Sequence, residues 1–401
     1  MPNLAGSPPR TPLAPCLLLL VTLFLPGAAA LAEDALEAPP APVRYPPLNT
    51  EVRVPTFTAP PDIDRPRRET PAMADTPGPE PAAGTRPGPS VTSAPPEPLA
   101  PPPLETLEIM LDWYPGPHHA ALILATANGL LEHEGLDVTL STPADPTVPT
   151  RLLAAGRIDL AVTRQPQLHL QVDRGQSLVR VATLIDLPMA GLVLREDLDI
   201  DSPAGLAGLR IGYAEEDGRD LLLPALTAPH GIAPRELLLS DTGFGLATTL
   251  VEQRLDAVIT PLRLTLPRQL ADQGVPTRLL RVEEHGIPLH DGLILVANRD
   301  RLARLRDPIR ELLDALQATT AWILEHPDEA WSRLTELEPT LDTPANRDSW
   351  MATLLRLSAQ PAALDTARYV RLEAFLHERG LVEEATPVEK LAVDLGAATP
   401  R

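Results

Sequence analysis

Asp112, Trp113, Tyr114, His118 and His119 fall within one eight-residue stretch, followed immediately by an Ala- and Leu-rich run. These residue types suit the capture of a small planar molecule. Trp and Tyr offer flat faces for stacking, while a carboxylate and imidazoles can pair with polar atoms on the edge of a ring. At a helix start the imidazolium form is disfavoured, so a neutral His119 can hydrogen-bond a ring nitrogen. At least one of the two histidines reads as exposed. Pro115 and Pro117 bar a helix through the stretch and stiffen it. Three later stretches add to the constellation. Thr163-Arg164-Gln165-Pro166 offers Gln165 as a hydrogen-bonding side chain, with Arg164 read as solvated. Tyr213-Ala214-Glu215-Glu216-Asp217-Gly218 puts three carboxylates behind a third ring. They would repel a phosphate or sulfonate and attract an amine, with Glu216 or Asp217 facing the amino group. Their plainer use is to complement a helix dipole. Phe244, between two glycines, supplies a fourth ring.

From Glu105 to Asn298 those four rings are the only Trp, Tyr or Phe residues. Three fall at the ends of apolar alternating runs and one in a loop before a helix, two in each proposed lobe. This placement favours a ligand sandwich over loop packing. Asp186 sits at a hinge or cleft position.

Other chemistries lack their residues. The nine histidines are scattered without His-x-x-x-His spacing, and Cys16 is the only cysteine. A metal site, a cysteine nucleophile and a disulfide are therefore not expected. Gly243-Phe244-Gly245 is too short for a dinucleotide fingerprint, and no triad spacing is visible. The formal net charge of −20 argues against a nucleic-acid partner, because phosphate binding needs clustered Lys and Arg. Lys390 is the only lysine.

The elements that must position these residues follow from periodicity. Strands are expected near 107–111, 137–140, 158–162, 178–184, 209–213, 236–239 and 256–259. Helices alternate with them over 120–131, 146–155, 165–174, 219–228 and 245–253. Alternation of this kind implies mostly parallel sheets. The segments 191–194 and 293–296 read as crossovers between lobe 1 (about 105–190 and 294–385) and lobe 2 (about 191–293). From Asp300 onward the pattern is helical, over 302–324, 327–334, 347–357 and 365–379. Trp322, Trp331 and Trp350 in these helices read as core.

Leu-Asp-Trp-Tyr-Pro-x-Pro-x-His from Leu111, the Ala-rich helix with Asn128-Gly129, and Glu134-Gly135-Leu136-Asp137-Val138 carry a family resemblance. The chain resembles the thiamine-precursor branch of the periplasmic substrate-binding proteins over about 105–335. That branch holds formylaminopyrimidine-binding subunits of ABC importers and the yeast-type pyrimidine synthases. The resemblance implies an α/β, two-lobed type II periplasmic-binding-protein fold with C-terminal helices. It also implies hinge closure on a pyrimidine-type ligand and a permease partner. The expected protein is a monomer with no cofactor and no catalytic residue. Its ligand site would comprise Asp112, Trp113, Tyr114, His119, Gln165, Tyr213, Glu216, Asp217 and Phe244. Binders of sulfonates and nitrate share part of the pattern, and a tethered sensing module is a further alternative. For the synthase, the resemblance implies a pyridoxal-phosphate lysine in the domain and a Cys-rich iron motif, and this chain supplies neither.

Residues 1–32 read as a secretory signal: Arg10, an apolar run from Cys16 to Leu25, and Ala30-Leu31-Ala32 as the cleavage site. Left uncleaved, the run would be a signal anchor. Between Glu33 and Pro103, 21 of 71 residues are proline, too many for a packed core, so this stretch reads as a disordered linker. The expected location is the periplasm or cell envelope, with membrane contact only through the N-terminal segment or the permease.

Overall fold

The computed structural model describes residues 104–127, 129–133 and 135–396. The signal segment and the Pro-rich linker read from the sequence lie outside them.

Two five-stranded sheets share one plan. In the first lobe, β1 (Glu105–Met110), β2 (Leu136–Ser141), β3 (Leu160–Thr163), β4 (Leu178–Ile185) and β10 (Leu293–Asn298) lie in the order β2-β1-β3-β10-β4. In the second, β5 (Gly191–Arg195), β6 (Arg210–Tyr213), β7 (Leu238–Asp241), β8 (Ala257–Thr260) and β9 (Thr277–Arg281) lie in the order β7-β6-β8-β5-β9. Three neighbouring strands of each sheet are parallel, and the fourth position is antiparallel: β10 in one sheet, β5 in the other. Each antiparallel strand is the one that arrives from the opposite lobe. The mostly parallel sheets and the two crossovers expected from sequence are therefore present. Strands β4 and β10 are buried along their whole length, which suits their apolar runs with helices on both faces.

The helices that cover these sheets are α1 (Ala120–Ala127), α2 (Leu130–His133), α3 (Val148–Ala154), α4 (Gln165–Asp173), α5 (Leu223–Thr227), α6 (Leu246–Val251) and α7 (Leu266–Asp272). The C-terminal part adds α8 (Leu302–Glu325), α9 (Pro327–Leu337), α10 (Pro344–Leu354), α11 (Thr366–Glu378) and α12 (Val388–Leu391). Leu107 and Ile109 of β1, Leu122 of α1, Leu312 and Leu316 of α8 and Trp331 and Trp350 share one core. The two tryptophan rings stand 5.5 Å apart, and Trp350 Nε1 donates to Pro327 O.

Several expectations need correction. Strand β9 and helix α7 were not read from sequence. The helix expected over 219–228 is present but not uniform: its start is wound as a wide π-turn at Gly218–Leu222, it continues as α5, and a 3-10 turn ends it at Ala228–His230. Helix α10 starts earlier than expected, because the Thr343 hydroxyl accepts the Asn346 N–H and Pro344 fits the first helical position. Helix α11 does not belong to one lobe alone. Its Leu372, Phe375 and Leu376 share the core of β5, β6 and β8, whereas Tyr369 packs with Leu168 and Ile294 of the first lobe.

At the hinge the two crossovers run side by side. The Gly292 N–H donates to Ile185 O at 2.9 Å. A Cβ at Gly292 would lie 2.1 Å from Leu187 O, so only glycine lets the strands pass at this distance.

Candidate functional site

The loop after β1 is built from its own residues. Leu111 N–H still bonds Ser141 O, as if β1 continued. The chain then turns through Asp112–Pro115 into a 3-10 turn at Pro117–His119, which feeds α1. Within this turn the His119 Nδ1 accepts the Gly116 N–H at 3.2 Å. That fixes the proton on Nε2, which donates to Asp112 Oδ1 at 2.8 Å. Asp112 is buried. Burial alone would raise its pKa, but the His119 hydrogen bond and neighbouring charges, Arg164 among them, outweigh it. The carboxyl is held well below the usual carboxylate range. Both histidines are buried, contrary to the expectation that one is exposed. Burial, then the adjacent His119, pushes the His118 pKa down to about 3, so its ring is neutral.

Arg164, read from sequence as solvated, is the buried centre of the site. It ends β3 and sits at the start of α4 in an extended conformation. Its guanidinium donates to Asp112 Oδ2 at 3.0 Å, pairs with Glu215 of the second lobe, and lies 3.6 Å from Asp217 Oδ2. Asp217 is fixed from both lobes: its Oδ1 accepts from Gly218 N–H in its own loop, and its N–H donates to Gln167 Oε1 of α4. Three buried carboxylates thus face one guanidinium from two lobes. The sequence reading chose Glu216 with Asp217. The structure places Glu215 and Asp217 inward and turns Glu216 outward, where it accepts from Gln171 and Arg174.

The rings do not form a gapped sandwich. Trp113 meets Phe244 edge-on at 4.7 Å, and Tyr114 lies tilted over Phe244 at 4.4 Å. A ring held between two stacked rings would need them about 7 Å apart, twice the usual carbon contact. Trp113 is buried among Val193, Leu246 and Leu266 of the second lobe, whereas Tyr114 is 52% exposed. Tyr213 stands apart, with the Arg219 guanidinium 5.4 Å from its ring. Gln165 is also spent within the protein. Its Oε1 accepts the Asp291 N–H, and its Nε2 meets His169 Nε2, whose Nδ1 pairs with Glu373 of α11. Gln165 therefore ties α4 to a crossover and to α11. Asp186 is at the hinge, where burial raises its pKa.

Two spaces lie at this site. A cleft of about 470 Å³ runs along Trp113, Tyr114, His118 and Phe244, and α7 and α10 close it with Gln269 and Asn346. A crevice of about 10 Å³ lies between Arg164, Glu215 and Asp217. His118 borders the cleft, and on its other side it faces Asp112 and Arg164. The wall from α10 was missed, because nothing in a distant helical pattern marks which helix will face the cleft.

Among the described residues, Asp112, His118 and His119 bring ligating atoms within 4.8 Å of one another. They do not suit a metal. His119 Nδ1 already faces a backbone donor, so Nε2 must keep its proton and cannot ligate. The single lysine, Lys390, lies exposed on α12.

Two α/β lobes joined by paired crossovers, with aromatic and ionised groups converging where they meet, define a periplasmic-binding-protein fold. The chain belongs to the NMT1/THI5-like family, whose profile matches residues 116–330. It is 36% identical over 292 residues, 73% of this chain and 92% of the relative, to a Haemophilus influenzae protein named for thiamine biosynthesis. It is 33% identical over 228 residues to the formylaminopyrimidine-binding protein of Halalkalibacterium halodurans, covering 57% of this chain and 69% of that one. A 4-amino-5-hydroxymethyl-2-methylpyrimidine phosphate synthase of Saccharomyces cerevisiae is 26% identical over 248 residues, covering 59% and 73%. Among solved structures, the alkanesulfonate-binding protein of Xanthomonas axonopodis pv. citri shares the fold with a TM-score of 0.56 and 16% identity, covering 73% of this chain and 99% of that one. Among the described residues no helix is long and apolar enough to cross a membrane.

Proposed function

We propose that this protein is an extracytoplasmic solute-binding protein that captures an aminopyrimidine-type thiamine precursor and presents it to an ABC permease. The observation that carries this reading is the charge of the crevice. Three carboxylates against one guanidinium attract a ligand that brings N–H donors, and repel sulfonate or nitrate. The aromatic cleft suits the flat face of such a ligand. The formylaminopyrimidine-binding relative supports the same ligand class. Capture proceeds by hinge bending: the lobes part at the crossovers, the ring enters beside Tyr114 and Phe244, and the lobes close on it.

A pyrimidine synthase of the same fold is disfavoured by chemistry. A Schiff-base lysine has no candidate near the cleft, and the only cysteine is Cys16.

Calorimetric titration with 4-amino-5-hydroxymethyl-2-methylpyrimidine and its formylamino relatives tests the reading, with an alkanesulfonate and nitrate as competitors. Binding of the pyrimidines alone is expected. Tyr114→Ala should weaken that binding by about two- to tenfold, because a stacked ring contributes about 0.5–1.5 kcal/mol. Its melting temperature should hold, because the ring is half exposed. Sulfonate binding with no pyrimidine binding would keep the fold assignment and remove the ligand.

A further inference from the structure

His118 and His119 stack at 4.0 Å, yet the fold uses them differently. Both ring nitrogens of His119 are committed, one to the Gly116 N–H and one to Asp112. His118 is as buried as its neighbours, at 6% exposure, but its Nε2 has no partner. A buried polar atom left unpaired is costly and rare in a native structure, and it marks a place where a partner is expected. The local backbone is shaped for this ring. A Cβ at Gly116 would lie 2.5 Å from His118 Cε1, so the imidazole occupies the space that any other residue at 116 would fill. The ring also lines the aromatic cleft, and on its other side it faces Asp112 and Arg164, the guanidinium that also lines the charged crevice. The groups facing it are His119, Asp112 and Arg164, and burial keeps it neutral among them.

The neighbouring acceptors settle what such a ring would meet. An aminopyrimidine presents N–H donors on its amino group and an acceptor on the adjacent ring nitrogen. The carboxylates of Asp112, Glu215 and Asp217 can take the donors, but they cannot serve the ring nitrogen. A neutral imidazole can donate to it. We propose that His118 Nε2 is the specificity-determining contact of the site, donating to the ring nitrogen beside the amino group where the cleft wall backs onto Asp112 and Arg164. This rests on the aminopyrimidine reading above. It goes further in naming His118, not His119, as the recognising histidine.

The test compares two probes on the full-length protein: 4-amino-5-hydroxymethyl-2-methylpyrimidine, and its analogue with CH in place of both ring nitrogens. Wild type should bind the pyrimidine at least tenfold more tightly. His118→Phe should lose that preference by weakening only the pyrimidine, and His118→Gln should restore part of it. Equal weakening for both probes would make His118 a packing residue and overturn the proposal, as would an unchanged preference. If His118→Phe does not fold, ¹⁵N NMR of wild type decides. The His118 Nε2 resonance should shift when the pyrimidine is added and stay in place with the analogue, and an unmoved resonance with the pyrimidine bound overturns the proposal. Wild type that binds neither probe removes the ligand reading itself, and this inference with it. Wild type that binds only the pyrimidine, with His118→Phe unaltered, leaves the ligand reading standing and removes only His118.

Discussion

A carboxylate, a guanidinium and two imidazoles share one buried volume at the cleft, so each sets the state of the others. Asp112 accepts from both His119 and Arg164, which keeps it ionised where burial would favour the acid. Removing its charge would leave Arg164 short of one partner in a site that water does not reach. Trp113, Tyr114 and Asp112 were legible in sequence, because their types are scarce and the prolines fix the loop. Gln165 and His119 were read as ligand contacts, and in the fold each also accepts a backbone N–H, from Asp291 and Gly116, which spacing does not disclose. Arg164 could not be placed, because two of its three carboxylates, Glu215 and Asp217, come from the other lobe. The histidines also carry a pH prediction. Burial lowers His118 to about 3 and His290 to about 4, from an ordinary value near 6.5. Between those values the unfolded chain binds protons that the folded one does not, so stability falls as pH drops from about 6.5 toward 4. His290, donating to Pro288 O, can be replaced apart from the proposed ligand contact. Thermal melts at pH 7, 5.5 and 4.5 should show a shallower acid loss for His290→Gln than for wild type. Parallel pH curves for the two proteins would remove His290 as a source of the loss.

Among the elements, the crossovers are the most constrained. Strands β5 and β10 had to enter the opposite sheet, and both were anticipated because apolar runs fell where the second lobe should begin and end. Strand β9 was not: Thr277–Arg281 carries arginine at its second and fifth positions, so alternation was obscured. The π-turn at Gly218–Leu222 was missed for a related reason, since its residues read as an ordinary helix start. The turn matters, because it follows directly on the segment that turns Glu215 and Asp217 inward. Gly292 gives this scale its prediction. A methyl at 292 would collide with Leu187 O at 2.1 Å and Met189 Cγ at 2.7 Å, in a strand pair with no free side. Gly292→Ala should destabilise the protein by about 1–3 kcal/mol or more, as overpacking does when backbone must move. The drop in the urea midpoint measures it. Gly286→Ala is a control of another kind, because the added Cβ there meets nothing within 4 Å and only the positive φ of +91° is strained.

For the whole molecule, the question is how much holds the two lobes against each other. The seam is mostly polar. Inside it are Arg164 with Glu215 and the Gln167–Asp217 hydrogen bond. At its rim Arg174 donates to Glu216 and Asp220, each at 2.6 Å, and Gln171 supports Glu216. Apolar contact comes from Trp113 and Leu170, seated among second-lobe residues, and from α11, whose side chains reach both cores. The lobe plan was legible in the alternating pattern, but this rim was not, because Arg174 and Glu216 are ordinary surface residues until the lobes meet. The Arg174 side chain is 37% exposed, so each of its pairs contributes about 0.2–1 kcal/mol. Losing both pairs, Arg174→Ala should then shift the closed form by about two- to thirtyfold. A ligand held by closure would dissociate faster by that factor, with its association rate nearly unchanged. Salt supplies the decisive comparison. At about 1 M the rim pairs are screened within roughly 3 Å, so wild type in high salt should approach the dissociation rate of Arg174→Ala in low salt. The variant itself should respond little to salt. Stopped-flow dissociation of a bound aminopyrimidine from both proteins, at low and high salt, measures all four rates. If the variant keeps the full salt response, the rim pairs do not govern closure, and the buried Arg164 cluster with Trp113 must carry it alone.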